Sequence, residues 1–220
     1  MPAMEALTGD IHLGRALCGD LAQAERREWW LGNGRGAYAA GTVAGTQTRR
    51  YHGLLIAPVE PPLGRWLLAA RADATLLTGD AAIPLFTNRW ADGVVEPAGH
   101  RLLESFHLEG RMPVWRYTLG SLTVECRIWL MPGEDTAYVA WRAEPGPGWG
   151  ETPLSLRVDL LVNSRDHHGS TSPDHPTPAI SADGGELRID HPGSIWLGAT
   201  AEGPWQTEEP VWVNDFDLPV

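Results

Sequence analysis

The stretch VWRYTLGSLTVECRIWLM, residues 114–131, decides the fold of this chain. From residue 122 onward, apolar side chains alternate with mostly polar ones. The apolar set is Leu122, Val124, Cys126, Ile128 and Leu130, and the set between them is Thr123, Glu125, Arg127 and Trp129. A period of two over this length predicts a β-strand with one buried face. Gly120-Ser121 has the length of a hairpin turn, so residues 114–119 are predicted to form the antiparallel partner.

The same alternation recurs along the rest of the chain. Residues 154–162 repeat it most clearly, and turn residues at 133–135 and 183–185 separate further strands at hairpin distance. The other candidate strands are residues 51–57, 66–70, 75–78, 102–108, 137–142, 187–190 and 194–200. About ten short strands without β-α alternation predict an all-β fold, an antiparallel β-sandwich with few or no helices. Leu13, Leu17, Leu21 and Ala24 permit one short helix near the start.

Composition narrows the classes of protein and of partner. Gly 25 and Pro 18 make up about a fifth of the 220 residues, against about 12% on average, which disfavours long helices. The net charge of −11 disfavours nucleic acid and an anionic membrane as partners. Because no membrane span or signal peptide is visible, we expect a cytoplasmic location. Cys18 and Cys126 lack metal-ligand or disulfide spacing, and we expect no metal and no cofactor.

The stretch EWWLGNGRGAYAAGTVAGTQTRRYHG, residues 28–53, concentrates the groups that could bind a ligand. Its aromatic residues are Trp29, Trp30, Tyr38 and Tyr51, and its titratable or charged donors include Arg49, Arg50 and His52. Aromatic faces together with hydrogen-bond donors suit a neutral, hydroxyl-rich molecule. As strand residues, Arg50 and His52 would project onto one face, opposite Tyr51. Two or three tryptophans are expected to be exposed, with candidates Trp29, Trp30, Trp90, Trp149 and Trp205.

The glycines of this stretch allow more than one interpretation. Residues 34–39 fit the pattern GxGxxA, but the residues that follow, GTVAGTQTRR, start a helix poorly, which argues against a dinucleotide-binding fold. A phosphate-binding loop is excluded because the Gly-Lys-Ser/Thr ending is missing. The glycines then serve either tight turns between strands or a turn that faces a ligand.

A second polar cluster, residues 163–168, follows the strand predicted at 154–162. Loops after strands often carry binding residues, so Arg165, Asp166 and His167 are candidates. Asp166 could instead pair with Arg165 or cap a turn. A metal site is disfavoured, because the side chains of His167 and His168 would diverge in an extended chain.

Two of these segments resemble the prokaryotic glycogen debranching enzyme family of the amylo-α-1,6-glucosidase type. The matching residues are a tryptophan at 29 or 30, the run Asn33-Gly34-Arg35-Gly36-Ala37-Tyr38 and the block Thr48-Arg49-Arg50-Tyr51-His52-Gly53. The cluster at Arg165-Asp166 resembles a further segment of that family. The resemblance covers nearly the whole chain but only the N-terminal half of such an enzyme.

The resemblance implies a super-sandwich of the galactose mutarotase type over residues 28–220, preceded by an extension at 1–27. It implies an α-glucan ligand, glycogen or branched malto-oligosaccharide, and hydrolysis of α-1,6 branches. The catalytic carboxylates would lie in a helical-barrel domain, present in cis or in trans, since no helical period of that kind occurs here. We therefore expect no catalytic residues in this chain. The substrate-binding residues would be Trp30, Asn33, Tyr38, Arg49, Arg50, Tyr51, His52, Arg165, Asp166 and His167.

Two other functions remain compatible with the residues. One is a free-standing carbohydrate-binding protein. The other is a mutarotase-like sugar epimerase that uses His52 with Glu104 or Asp166. Hydrolysis by this chain alone is disfavoured, because no spacing singles out a pair of carboxylates.

Overall fold

The structure is a computed structural model that describes residues 11–60, 63–150, 152–183, 185–191, 195–207 and 209–217. These residues contain sixteen strands, two α-helices and one 3-10 turn. The first eight strands are His12–Gly14 (β1), Glu28–Gly32 (β2), Tyr38–Thr42 (β3), Gly53–Glu60 (β4), Leu63–Thr78 (β5), Ala81–Pro84 (β6), Thr87–Arg89 (β7) and Val95–Ala98 (β8). The others are Leu103–Glu109 (β9), Met112–Leu119 (β10), Leu122–Leu130 (β11), Ala137–Pro145 (β12), Leu154–Asp166 (β13), Ala179–Asp183 (β14), Glu186–His191 (β15) and Ile195–Thr200 (β16). The helices are Arg15–Cys18 (α1) and Leu21–Ala24 (α2), and the 3-10 turn is Gly99–Leu102.

The strands form antiparallel sheets. The first sheet has the order β1-β9-β10-β11-β12, and the second has the order β13-β5-β4-β3-β2 with β6 added on β5. The third sheet is β14-β15-β16, and β7 pairs with β8. The prediction of an all-β, sandwich-like fold with few helices is confirmed.

The hairpin that the sequence predicts most clearly is β10–β11. Leu119 pairs with Leu122 across the turn. Leu122, Val124 and Cys126 are almost fully buried. They contribute to a core that the first sheet shares with Leu76 of the second. The period of two in this stretch therefore identifies which side chains of β11 lie on the inner face of the first sheet.

One face of the second sheet is covered by the first and third sheets together. Leu31 and Leu55 of the second sheet share a buried cluster with Leu130 of the first and with Leu187 and Ile189 of the third. The opposite face of the second sheet carries a smaller cluster, formed by Tyr38, Ala40, Ile56 and Leu67. We call this opposite face the outer face of the second sheet, and the candidate site lies on it.

Several elements differ from the sequence predictions. The predicted strand at 51–57 starts at Gly53, because residues 49–52 form a turn closed by the His52 amide and the Arg49 carbonyl at 3.1 Å. The predicted strands at 66–70 and 75–78 are one continuous strand, β5. Gly184 of the predicted turn at 183–185 lies outside the described residues, although β14 and β15 pair as a hairpin. Ser194, which opens the predicted strand at 194–200, also lies outside them.

The helical prediction near the start is correct in part. Two helices of four residues each, α1 and α2, replace the single helix. The chain breaks at Gly19 and Asp20, and the Asp20 side chain accepts a hydrogen bond from the Gln23 amide, which caps α2. No helix in the described part of the chain has the length and hydropathy needed to cross a bilayer.

The two faces of β11 can be tested with neighbouring variants. Leu122→Ala leaves a cavity in the core and should lower the free energy of unfolding by about 2–5 kcal/mol. Thr123→Ala, on the opposite face, should change it by less than about 1 kcal/mol. Urea unfolding followed by tryptophan fluorescence measures both values. Equal losses in the two variants would contradict the assignment of the buried face.

Candidate functional site

An open groove of about 850 Å³ lies on the outer face of the second sheet. Strands β2 and β3 provide one wall, and the turn at 49–52 provides another. Arg65 of β5 and His167, just after β13, complete the site. The lining residues are Glu28, Trp29, Trp30, Gly32, Gly34, Gly36, Ala37, Tyr38, Ala40, Arg49, Tyr51, His52, Arg65 and His167.

The turn between β2 and β3 is built around Asn33. Its side-chain oxygen accepts hydrogen bonds from the amides of Arg35 at 2.8 Å and Ala37 at 3.0 Å. Its side-chain nitrogen donates to the carbonyl of Glu134 and to Asp135 Oδ1, both at 2.9 Å. Asn33 is 3% exposed and all its hydrogen-bonding positions are used inside the protein. Its amide therefore holds the turn and does not face the groove.

Two glycines of this turn need the conformational freedom that only glycine has. Gly34 and Gly36 have φ angles of 81° and 108°. Arg65 Nε donates to the Gly36 carbonyl at 2.8 Å, which ties the turn to β5. The glycines thus serve a tight turn, and the same turn lines the groove.

The aromatic part of the groove is a stacked pair. Trp30 and Tyr38 have ring centroids 4.3 Å apart and planes inclined by 12°. Tyr38 is buried beneath, whereas Trp30 is 61% exposed. The pair follows from the register of the hairpin, in which Trp30 lies opposite Ala40 and Tyr38 lies opposite Gly32. The small neighbours leave room for both rings to lie over the sheet.

A carboxylate lies beside this pair. Glu28 Oε1 accepts hydrogen bonds from Arg49 Nε at 2.5 Å and from His52 Nε2 at 3.2 Å. The Nδ1 atom of His52 accepts from the Thr48 amide at 3.2 Å, so in the neutral ring the proton is on Nε2. His52 is 3% exposed, and this burial lowers its pKa, although Glu28 acts in the opposite direction. Both ring nitrogens of His52 are occupied by the protein.

Two histidines and two tyrosines form a hydrogen-bonded chain along the rim. Tyr38 Oη lies 3.5 Å from His167 Nδ1, His167 Nε2 lies 2.8 Å from His168 Nε2, and His168 Nδ1 lies 3.1 Å from Tyr51 Oη. The prediction that the two histidines diverge is wrong, because they lie in a turn and not in an extended segment. Burial, followed by the proximity of His168, lowers the pKa of His167.

Arg50, Arg165 and Asp166 join two loops behind the rim. Arg50 Nη1 donates to the His168 carbonyl at 2.9 Å, and Arg165 Nη2 donates to the Arg50 carbonyl. Arg165 Nη1 also donates to the carbonyls of Asp166, His167 and Gly169. Asp166 Oδ1 accepts from the His168 amide at 2.8 Å and so caps the turn. These contacts hold the turn at 49–52 against the turn after β13.

The structure brings six of the ten predicted site residues to the groove. They are Trp30, Tyr38, Arg49, Tyr51, His52 and His167. The prediction that Arg50 and His52 share a strand face is wrong, because the turn sends His52 towards Glu28 and Arg50 towards the His168 carbonyl. The sequence reasoning missed Glu28 and Arg65. The position of Glu28 two residues before Trp30, on the same face of a strand, was the available signal.

The tryptophan prediction is correct for one of its five candidates. Trp30 is exposed, whereas Trp29, Trp90, Trp149 and Trp205 are partly buried. The other exposed tryptophans among the described residues are Trp196 and Trp212. Trp29 instead packs edge to face on Trp115 in the core, with ring centroids 5.4 Å apart.

The groove combines an aromatic pair with one carboxylate and several hydrogen-bond donors. Glu28 is the one carboxylic acid among the described residues that line it, and glycoside hydrolysis normally needs two carboxylates. No three His, Cys, Asp or Glu side chains gather as metal ligands in the part of the chain that the structure describes. A stacked indole, a carboxylate and a guanidinium together fit a neutral molecule with an apolar face and several hydroxyl groups.

Burial of His52 makes the stability of the fold depend on pH. Because its pKa is lower in the folded state, the unfolded chain takes up the proton first as the pH falls. Burial of the neutral His52 side chain therefore makes its full contribution to the free energy of unfolding above about pH 6.5. This contribution decreases as the pH falls below that value towards the lower pKa of the folded state. Between pH 7.5 and 5.5, His52→Gln should lose up to about 1 kcal/mol less unfolding free energy than the unsubstituted chain. Urea unfolding at both pH values measures the difference, and an equal loss in both proteins would contradict it.

The comparisons with known proteins agree with the motifs. A family model described as glycogen debranching enzyme N terminal matches residues 27–220. Neither the curated proteins nor the solved structures gave a significant match. The family match spans most of the chain and includes every residue that lines the groove. This chain belongs to the glycogen debranching enzyme N-terminal domain family.

Proposed function

We propose that the groove binds an α-glucan chain near an α-1,6 branch and shapes a substrate subsite of a glycogen debranching enzyme. The observation that carries this proposal is the exposed indole of Trp30, stacked on Tyr38 beside the Glu28 carboxylate. A pyranose ring has an apolar face of C–H groups and an equatorial belt of hydroxyls. The apolar face of the sugar would stack on Trp30, and its equatorial hydroxyls would donate hydrogen bonds to Glu28.

The polar side of the groove is already oriented. Arg49 and His52 both donate to Glu28 Oε1, and these bonds hold the carboxylate at one position. The Glu28 side chain is 39% exposed, so it can still accept hydrogen bonds from a ligand. Groups held in place before binding lose less conformational entropy when the ligand arrives. In this proposal Glu28 contacts the sugar, whereas His52 positions Glu28.

Arg50, Arg165 and Asp166 support the groove from behind. Their hydrogen bonds go to backbone atoms of the two loops that carry Tyr51 and His167. Asn33 does the same for the turn between β2 and β3. We assign these four predicted residues to positioning the groove. The groove residues that would contact sugar are Trp30, Arg49, Tyr51, His167 and Glu28, and Tyr38 would support the Trp30 ring from beneath.

Catalysis is assigned to another module. With one carboxylate in the groove, the acid and the base for hydrolysis of α-1,6-linked glucose would come from the helical-barrel domain, in cis or in trans. The groove would then hold the glucan while the barrel cleaves the branch. A free-standing carbohydrate-binding protein would use the same groove without that partner.

The observed contacts do not favour a mutarotase-like epimerase. Glu104 pairs with Arg15 at 3.2 Å on the first sheet, and Asp166 caps a turn. Both nitrogens of the buried His52 are occupied, so His52 has no free atom to transfer a proton to a sugar.

Binding can be tested by isothermal titration of this chain with a branched malto-oligosaccharide. Trp30→Ala should raise Kd by about 2- to 12-fold, because an aromatic stacking contact is worth about 0.5–1.5 kcal/mol. Trp212→Ala is the matched control, since Trp212 is exposed and does not line the groove. Equal Kd values for the two variants would contradict the proposal.

The role of the carboxylate has its own test. Glu28→Gln keeps the shape of the side chain but removes the charge that strengthens its hydrogen bonds, so Kd should rise by about 10-fold. Urea unfolding of the same variant checks that the turn at 49–52 stays folded. A Kd unchanged from the unsubstituted chain would remove Glu28 from the site.

If the chain alone gives no heat with any variant, a mixture with a barrel domain distinguishes the remaining roles. Binding that appears only in the mixture would assign the groove to the contact between domains.

A further inference from the structure

The outward face of the third sheet carries a second exposed tryptophan with a polar pair beside it. Trp196 on β16 is 55% exposed. It lies opposite Asp190 of β15, and Arg188 lies opposite Gly198. The residues between them in sequence, including Ile189 and Leu197, are buried in the core. Alternation along both strands therefore places Trp196, Asp190 and Arg188 together on the solvent side.

The polar pair lies against the indole. Arg188 Nε lies 2.9 Å from both carboxylate oxygens of Asp190, and Nη2 lies 2.6 Å from Oδ1. The Arg188 guanidinium carbon lies 4.8 Å from the centroid of the Trp196 ring. A guanidinium over an indole is attractive, and the carboxylate fixes its position. The three side chains form one unit, which we call the Trp196 platform.

Gly198 gives the indole its place. A Cβ atom built on Gly198 would lie 3.0 Å from Cζ3 of Trp196, so a side chain there would require the ring to shift by a few tenths of an ångström. The glycine sits in the middle of β16, where it costs strand stability. The presence of Gly198 is explained if binding of a ligand requires the Trp196 ring to lie close over the strand.

We propose that the Trp196 platform is a second binding site for a neutral glucan chain. The Arg188–Asp190 pair neutralises its own charges, so the platform offers an aromatic surface next to hydrogen-bonding groups without a net charge. This combination selects a hydroxyl-rich neutral ligand over a charged one. The net charge of −11 on the chain further disfavours an anionic polymer.

The platform and the groove lie on opposite sides of the sandwich. The third sheet packs its inner face on Leu31 and Leu55 of the second sheet, whereas the groove lies on the outer face of that second sheet. The two sites therefore face away from each other. A branched polymer can present different outer chains to each of them, and the combined binding then exceeds that of either site. The platform does not depend on the groove proposal.

The test compares a short probe with a polymeric one. In a titration with maltoheptaose, we expect two binding sites on the unsubstituted chain. The Trp196→Ala variant and the Trp30→Ala variant should each retain one binding site. In native gels that contain glycogen, the apparent Kd of Trp196→Ala should be about 5-fold higher or more, because one of two linked contacts is lost. Trp212→Ala serves as the control for removal of an exposed tryptophan. Gly198→Ala should weaken glycogen binding while it keeps the indole.

The outcomes separate the two proposals. Loss of glycogen retention in Trp196→Ala and Gly198→Ala, with an unfolding midpoint close to that of Trp212→Ala, supports the platform. Retention equal to that of Trp212→Ala in both variants would overturn it. An effect of Trp196→Ala without any effect of Trp30→Ala would leave the platform in place and remove the groove.

Discussion

The packing of Trp29 in the core sets the orientation of the groove. Trp29 meets Trp115 of the first sheet edge to face, and Leu31 is buried two residues later. Because side chains alternate along β2, these two contacts force Glu28 and Trp30 to the opposite face. A shift of one residue in this strand would turn Glu28 and Trp30 towards the core and Trp29 towards the groove. The hydrophobic effect that closes the sandwich therefore also places the side chains that line the groove.

The rim of the groove depends on arginine in a different way. Arg165 donates to carbonyl groups of both loops, including those of His167 and Arg50. A guanidinium has five donors in a fixed plane, so one side chain can satisfy several carbonyls at once. Loops without a hydrogen-bond ladder are held by this arrangement. Arg165 can thus support the groove without lining it.

The sequence predicts the fold better than it predicts the site. The alternation of apolar and polar residues in β11 predicts the strand and its buried face, because successive side chains point alternately to the core and to the solvent side. Strand β3, with the sequence YAAGT, carries little pattern because its small residues make room for Trp30 and Trp29. The contact between Arg50 and His168 spans 118 residues, and no local rule predicts it. The groove residues were found where aromatic and charged groups crowd one segment, whereas Asn33 shows that a residue of that segment can belong to its framework.

The amide of Asn33 also connects the layers of the sandwich. It ties the turn after β2, in the second sheet, to residues 134 and 135 between β11 and β12, in the first. The Gly133 amide donates to the Asn33 carbonyl at 2.8 Å, and Arg35 donates to the Gly133 carbonyl at 2.9 Å. The layers cannot shear past each other at this end without breaking that set of bonds. Because this wall of the groove is bonded to the first sheet, a displacement of one sheet against the other would change the width of the groove.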